Sequence, residues 1–221
     1  MPQPIRERGA PLGCSMDVPR TILITDACAP VGRATAVRLG RAGWNLVLGG
    51  ASMSSLRGVC AELPDPATLP LRCDVTDADN LLPVLASAED RFGQVDAVLY
   101  NSRARCGGWV RTLNAQVGAL ARTADLLAPV LHRSAGRFVI AGHRAGSRTL
   151  DDAVHTVSRD AVRTIAEALD ADWETGAHSV ALVEPRGAER PRDMARRIAR
   201  ILNGGGDMRA PLAAQTLGMS R

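Results

Sequence analysis

Short, wholly apolar runs alternate along this chain with stretches in which apolar residues recur every three or four positions. Runs of the first kind predict strands and stretches of the second kind predict amphipathic helices. TILIT (21–25) opens the series, followed by a helix from Pro30 to Gly43 with proline at an early position. NLVLG (45–49) predicts a second strand, and Ser54 to Leu63 a helix. PLRCDV (70–75) is the third strand, with Thr76 as N-cap of a helix whose Leu81, Leu82, Leu85 and Phe92 share one face. VDAVLYN (95–101) and GRFVIAG (136–142) are strands on either side of a long helix over 110–132. A second long helix, 152–173, carries Val154, Val157, Ala161, Ile165 and Leu169 at helical spacing. Trp109 and Trp173 flank the two long helices and are expected to pack. SVALVEP (179–185) is the sixth strand, and Met194, Ala195, Ile198, Ile201 and Leu202 mark the last helix. A seventh short strand is predicted near Gln215–Gly218.

Strands that are apolar throughout belong to a sheet covered on both faces, which makes the sheet parallel. The expected fold is therefore α/β and doubly wound, with a mostly parallel seven-stranded sheet and its ligands beyond the carboxyl ends of the strands. Residues 1–19, rich in Pro, Gly and Arg, predict a loose tail, and 20–221 a single domain.

Composition narrows the chemistry. The chain of 221 residues has no lysine, so all 27 of its basic side chains are arginine, and Tyr100 is its single tyrosine. Arginine neither deprotonates nor forms imines in proteins, which excludes Schiff-base catalysis. Cys14, Cys28, Cys60, Cys73 and Cys106 are scattered without a CxxC pair, which predicts neither a zinc cage nor a disulfide framework and fits a reducing cytoplasm. Cys28 follows the first strand near a helix start, a setting that can activate a thiol, although a small packed residue is the simpler expectation there. No apolar run approaches the ~20 residues of a membrane span, and the N-terminus does not read as a signal peptide. A net charge of +4 and 3% aromatic residues do not point to nucleic acid. Arg186, Arg190, Arg192, Arg196, Arg197 and Arg200 form a basic set interleaved with Glu184, Glu189 and Asp193, which reads as a solvated helix face.

Six segments in order resemble the short-chain dehydrogenase/reductase superfamily over residues 21–219. TDACAPVGRATAVRLGRAGWNLVL resembles its TGxxxGxG turn and first helix, and CDVTD (73–77) its adenine-holding segment. FGQVDAVLYN (92–101) is similar to the fourth-strand motif, and GRFVIAGHRAG (136–146) to the strand that bears the catalytic serine. HTVSRDAVRTIAEAL (155–169) has the shape of the YxxSK helix, and ALVEP (181–185) that of the strand before Pro-Gly. The resemblance implies a Rossmann-like fold and an NAD(P)-dependent oxidoreductase. It places cofactor contacts at Thr25, Val31, Gly32, Arg33, Asp74, Val75, Asn101 and Pro185, and a homo-oligomer paired through helices 110–132 and 152–173.

Departures from the family pattern fall on its working residues. In that family tyrosine protonates the carbonyl, lysine lowers the tyrosine pKa and holds the ribose, and serine orients the substrate oxygen. By the same matching His155 stands at the tyrosine, Arg159 at the lysine and His143 at the serine, while Asn114 matches the asparagine of the proton relay. Asp26 and Pro30 stand at the first two glycines of the phosphate turn; Asp26 would either repel a diphosphate or cap the helix after it, and Arg33 would partly compensate. Gly49-Gly50-Ala51-Ser52 supplies neither the acid that reads a ribose hydroxyl nor the arginine that reads its phosphate. EPRGAERPRDMAR (184–196) leaves no room for the family's long substrate loop, and Arg186 replaces the glycine of Pro-Gly. The expectation is a divergent member without the usual hydride transfer that serves as a binding or assembly module, with weak or absent NAD(P) binding and no metal. The alternative is an NAD(P)H-dependent oxidoreductase in which His155 replaces the tyrosine and Arg159 holds the ribose.

Overall fold

A strand buried on both faces must find hydrophobic cover above and below, and β-strands among the described residues do so within one six-stranded sheet whose edge is partly exposed. The computed structural model describes residues 19–63, 67–74, 78–101, 109–142, 150–173 and 178–204. Its strands are β1 (Thr21–Ile24), β2 (Asn45–Gly50), β3 (Thr68–Arg72), β4 (Ala97–Tyr100), β5 (Arg137–Ala141) and β6 (Ser179–Val183). They lie in the order β3-β2-β1-β4-β5-β6, and every pairing is parallel. The order reverses between β1 and β4, and at such a switch point the loops leaving adjacent strands part to form a crevice. The predicted seventh strand near Gln215–Gly218 lies outside the described residues.

Alternate residues of β1, β2, β4, β5 and β6 feed two cores. Leu23, Val47, Val98, Phe138 and Val180 point to one face, covered by α3 (Leu81–Phe92), α5 (Ala119–Ser134) and α6 (Leu150–Trp173). Ile22, Leu46, Leu99, Val139 and Ala181 point to the other, under α1 (Pro30–Gly40), α2 (Met53–Cys60) and α7 (Pro191–Leu202). None of the described helices is long and apolar enough to cross a membrane.

Local differences from the sequence reading have simple causes. β3 starts two residues early and ends at Arg72, because its register is set by β2 from Leu46↔Thr68 to Gly50↔Arg72. A 3-10 turn, Ala78–Asn80, precedes α3, and Thr76 lies outside the described residues. The buried face of α3 is Leu81, Val84, Leu85 and Ala88, which is one i, i+3, i+4, i+7 stripe. Leu82 sits a third of a turn away and is 51% exposed, so it does not share that face. The first long helix begins one residue earlier than predicted and is three pieces: α4 (Trp109–Leu113), a π turn (Asn114–Gly118) and α5. Trp173 packs as expected, against Phe138, whereas Trp109 is exposed.

The arginine-only composition shows at the end of α7. The last carbonyls of a helix lack intrahelical donors. Arg20 donates to Leu202 O (3.0 Å) and Arg137 to both Ile201 O and Leu202 O, so two guanidiniums cap the terminus. Arg20 also lies over the Trp44 ring at 4.4 Å. Burial and the Arg20 charge together hold the Arg137 pKa below its ordinary value.

Candidate functional site at the strand ends

Two side chains bolt the crevice between β1 and β4. Buried Thr25 accepts the Asn101 backbone N–H on its hydroxyl (3.0 Å), and the Asn101 side-chain amide donates to the Asp26 carbonyl (3.1 Å). Ala27 N–H then reaches across to Gly49 O (2.9 Å), tying the turn after β1 to β2. Gly32 packs so tightly on this turn that a Cβ there would overlap the Asp26 carbonyl oxygen, with the Ala27 Cα 3.1 Å away. Its lack of a side chain thus serves the turn's own packing. We expect Gly32→Ala to push α1 off the turn and lower stability by about 1–3 kcal/mol, read from urea unfolding; an unchanged midpoint would show that the turn yields freely.

The N-cap position of α1 is Ala29, not Asp26, and the first turn holds no acid. Pro30, at the start of α1, withholds one donor, and Arg33 N–H is engaged with Ala29 O. The Arg33 guanidinium forms a fork with the Glu62 carboxylate and is not directed at the turn. Arg33 therefore supplies less phosphate compensation than the sequence suggests, because a long-range partner has taken its charge. The Cys28 thiol is pushed above its ordinary pKa by burial first and by the Asp26 charge second, with Arg33 opposing. That corrects the reactive-thiol reading, since a raised pKa leaves little thiolate at neutral pH. Alkylation of Cys28 by iodoacetamide at pH 7.5, followed by peptide mass spectrometry, is expected to be slow. Asp26→Asn should accelerate it, and equal rates in both proteins would refute the electrostatic account.

Beyond β2 the chain offers a dinucleotide little. A Cβ on Gly49 would come within 2.9 Å of Thr25 O, and one on Gly50 within 3.3 Å of the Cys28 sulfur, so both glycines serve packing. Ser52 spends its hydroxyl on the N-cap of α2, accepting from Ser55 N–H (3.3 Å). Asp74, exposed after β3, stands where an adenine edge would be met, and its charge helps burial raise the Cys73 thiol to about 11. Val75 and His143 lie outside the described residues.

At the ends of β4, β5 and β6, a small cavity of about 20 Å³ is lined by Tyr100, Gln116, Gly142, Ser158, Arg159 and Glu184. That is room for one water. The Ser158 hydroxyl is buried there with no partner among the described residues, the situation that a bound water relieves. His155, on α6, does not meet Asn114, which is exposed at the start of the π turn. The π turn instead brings buried Gln116 to His155, amide Nε2 to imidazole Nδ1 at 3.4 Å.

Arg159 pairs with its neighbour Asp160 (3.1 and 3.2 Å), so the cation expected to hold a ribose is engaged next door. One turn further on, Arg163 binds Glu184 at 2.6 Å, and that carboxylate raises the Arg163 pKa. Glu184 fits because residue 142 is glycine: a Cβ there would lie 3.1 Å from the Glu184 Cγ. Half-buried Pro185 follows, and only 184–190 separate β6 from α7. Arg197 pins this short connection by donating to Glu184 O (2.9 Å) and Glu189 Oε2 (2.8 Å). Gln116, Glu184 and Arg163 were not singled out as site residues from the sequence, since no spacing signals contacts across 39 and 21 positions.

Among the described residues, the Asp26 carboxylate in the turn after β1 and the ion pairs of Arg33, Arg159 and Arg163 do not suit a diphosphate, whereas Asp74 suits an adenine edge.

Known proteins agree on the ancestry. The short chain dehydrogenase family model matches residues 20–198, so this chain belongs to the short-chain dehydrogenase family and has its NAD(P)-binding, oxidoreductase-like fold. It is 22% identical over 207 residues to a 3beta-hydroxysteroid dehydrogenase of Mediterraneibacter gnavus, covering 85% of this chain and 75% of that protein. With serine 3-dehydrogenase of Agrobacterium fabrum it shares 35% identity over 82 residues, 37% of this chain and 32% of the relative. Among solved structures, a variant actinorhodin polyketide ketoreductase with NADPH superposes with a TM-score of 0.76 at 19% identity, covering 85% of this chain and 91% of its own. A metagenomic short-chain oxidoreductase in complex with NADP gives 0.74 at 20%, covering 83% and 90%.

Proposed function

We propose that this protein is a short-chain dehydrogenase relative that no longer performs the family's hydride transfer and serves as a binding or assembly module. One observation carries the reading: among the described residues, three arginines near the strand ends that a phosphate or ribose could use are already in ion pairs. Arg33 is held by Glu62, Arg159 by Asp160 and Arg163 by Glu184. To bind a dinucleotide the protein would have to break these pairs and accept the Asp26 carboxylate beside a diphosphate, so cofactor affinity is weak or absent. Three free thiols among the described residues, Cys28, Cys60 and Cys73, suit the cytoplasm.

A second reading has its own support. The His155 imidazole, oriented by Gln116, offers a group that can donate to a carbonyl oxygen, as a reductase would require. Calorimetric titration with NAD(H) and NADP(H) separates the two. No binding at millimolar cofactor is expected, and micromolar binding would overturn the module reading. Should turnover of any carbonyl substrate be found, retention of full activity by His155→Ala would exclude the imidazole as its electrophile.

Assembly as a homo-oligomer through the two long helices belongs to the same proposal, with its contact surface moved. Leu120 and Leu127 are fully buried in the monomer's own core, and Ile165 packs against it, so they have no face to give a partner. Trp109, Val110 and Val157, exposed by 44%, 72% and 52% on α4 and α6, are the apolar surface left to pair. Light scattering at micromolar concentration should report a dimer that Val157→Glu dissociates; a monomeric wild type would end this part of the proposal.

A further inference from the structure

Away from the strand ends, a groove of about 1500 Å³ runs along the outer faces of α1 and α7. These two helices pack against one another, and both start at the same edge of the parallel sheet. The groove floor is made of small apolar side chains, among them Ala34, Val37, Pro191 and Ala199. Its rim is arginine from both helices. Arg33 and Arg196 are paired, with Glu62 and Asp193. Arg38, Arg41, Arg190 and Arg192 take part in no ion pair among the described residues, and all four are exposed. Glu62 is the one acidic residue lining the groove. The sequence grouped Arg190 and Arg192 with a solvated helix face; packing α7 beside α1 sets them around a shared channel with Arg38 and Arg41.

We infer that this groove binds an acidic, amphipathic peptide segment of a partner protein. Three features select that occupant. Four unpaired guanidiniums favour carboxylates, which they grip with two parallel hydrogen bonds. The apolar floor rewards a ligand whose charged residues alternate with small apolar ones, as an extended strand's two faces do. No aromatic side chain lines the groove, so nucleic-acid bases would find no stacking surface. At 1.5 Å per residue the 11 residues of α1 give a channel about 16 Å long, which accommodates roughly five extended residues. Uncapped N-termini on both helices add positive potential at one end.

The inference rests on the binding-module reading and names its partner class, yet the two fail separately, because cofactor titration tests the strand ends and peptide titration tests the helix face. The experiment is fluorescence anisotropy of the full chain with a dye-labelled peptide of alternating Glu and Ala. Its comparisons are the same peptide with Gln for Glu and a single-stranded oligothymidine. The Glu–Ala peptide should bind and be released by salt. The Arg38→Glu/Arg192→Glu double variant should weaken it by at least about tenfold. Arg41→Gln/Arg190→Gln, which removes charge without reversing it, should weaken it less, and Arg122→Glu on exposed α5 surface should leave it unchanged. Circular dichroism confirms folding of each variant. Absence of binding, equal binding of the Gln peptide, an undiminished double variant, or tighter binding of the oligothymidine would each overturn the inference.

Discussion

The functional end of this protein depends on how closely the first turn of α1 is drawn down onto the carbonyl of Asp26. Gly32 permits that approach, and the Thr25–Asn101 bolt holds the carbonyl in place from the far side of the crevice. Because the turn is satisfied by its own backbone and by Asn101, it keeps its shape without a ligand. The family's fold can therefore persist here after the residues that used the turn for phosphate have changed, since scaffold and chemistry draw on different atoms of the same segment. Asp26 illustrates the division. Its carbonyl organises the crevice, while its carboxylate sets the charge of the turn.

Arginine in place of lysine has a structural consequence beyond lost chemistry. A planar guanidinium prefers a fixed partner with two acceptors, and this chain supplies such partners throughout. Glu62, Asp160 and Glu184 hold guanidiniums near the strand ends, helix carbonyls hold Arg20 and Arg137, and Glu189 with the Glu184 carbonyl holds Arg197. Exposed pairs of this kind contribute little stability. Their effect near the cleft is instead one of occupancy, because a cation already in a fork is a poor acceptor of a new anion. In the α1–α7 groove, four arginines from two packed helices are not engaged in this way and share one channel.

How much of this was legible in the sequence follows from the range of each interaction. Runs such as TILIT and RFVIA read directly as strands because burial on both faces leaves no ambiguity of period. Pro30 announced the start of α1. Leu82 misled because a leucine pair offers two faces a third of a turn apart, and only the packing of Leu81 against the sheet decides between them. The π turn at Asn114–Gly118 was invisible, since one wide turn leaves the local apolar pattern nearly intact while re-aiming every side chain within it. That is why Asn114 was matched to a relay position when Gln116 makes the contact. At the site, the positions of His155 and Arg159 came from the resemblance, but their partners are set by tertiary structure. Glu62 and Glu184 lie 29 and 21 residues from the arginines they neutralise, distances over which sequence carries no pairing signal.

Glu184 shows how such a site comes to be rebuilt and not merely lost. The residue before Pro185 faces the end of β5, and with any side chain at 142 a glutamate there would be crowded at its Cγ. Gly142 opens the space, Arg163 one helical turn beyond Arg159 supplies the counter-charge, and Arg197 grips the Glu184 carbonyl from behind. The Glu184 side chain is 22% exposed and that of Arg163 40%, so the pair adds little stability and its effect is to fix where the carboxylate lies. Glu184, Arg163 and Arg197, together with Gly142, thus form one contact set. In the module proposed above, such a set would keep the strand ends in shape without a cofactor, because the contacts that fix Glu184 come from the protein itself.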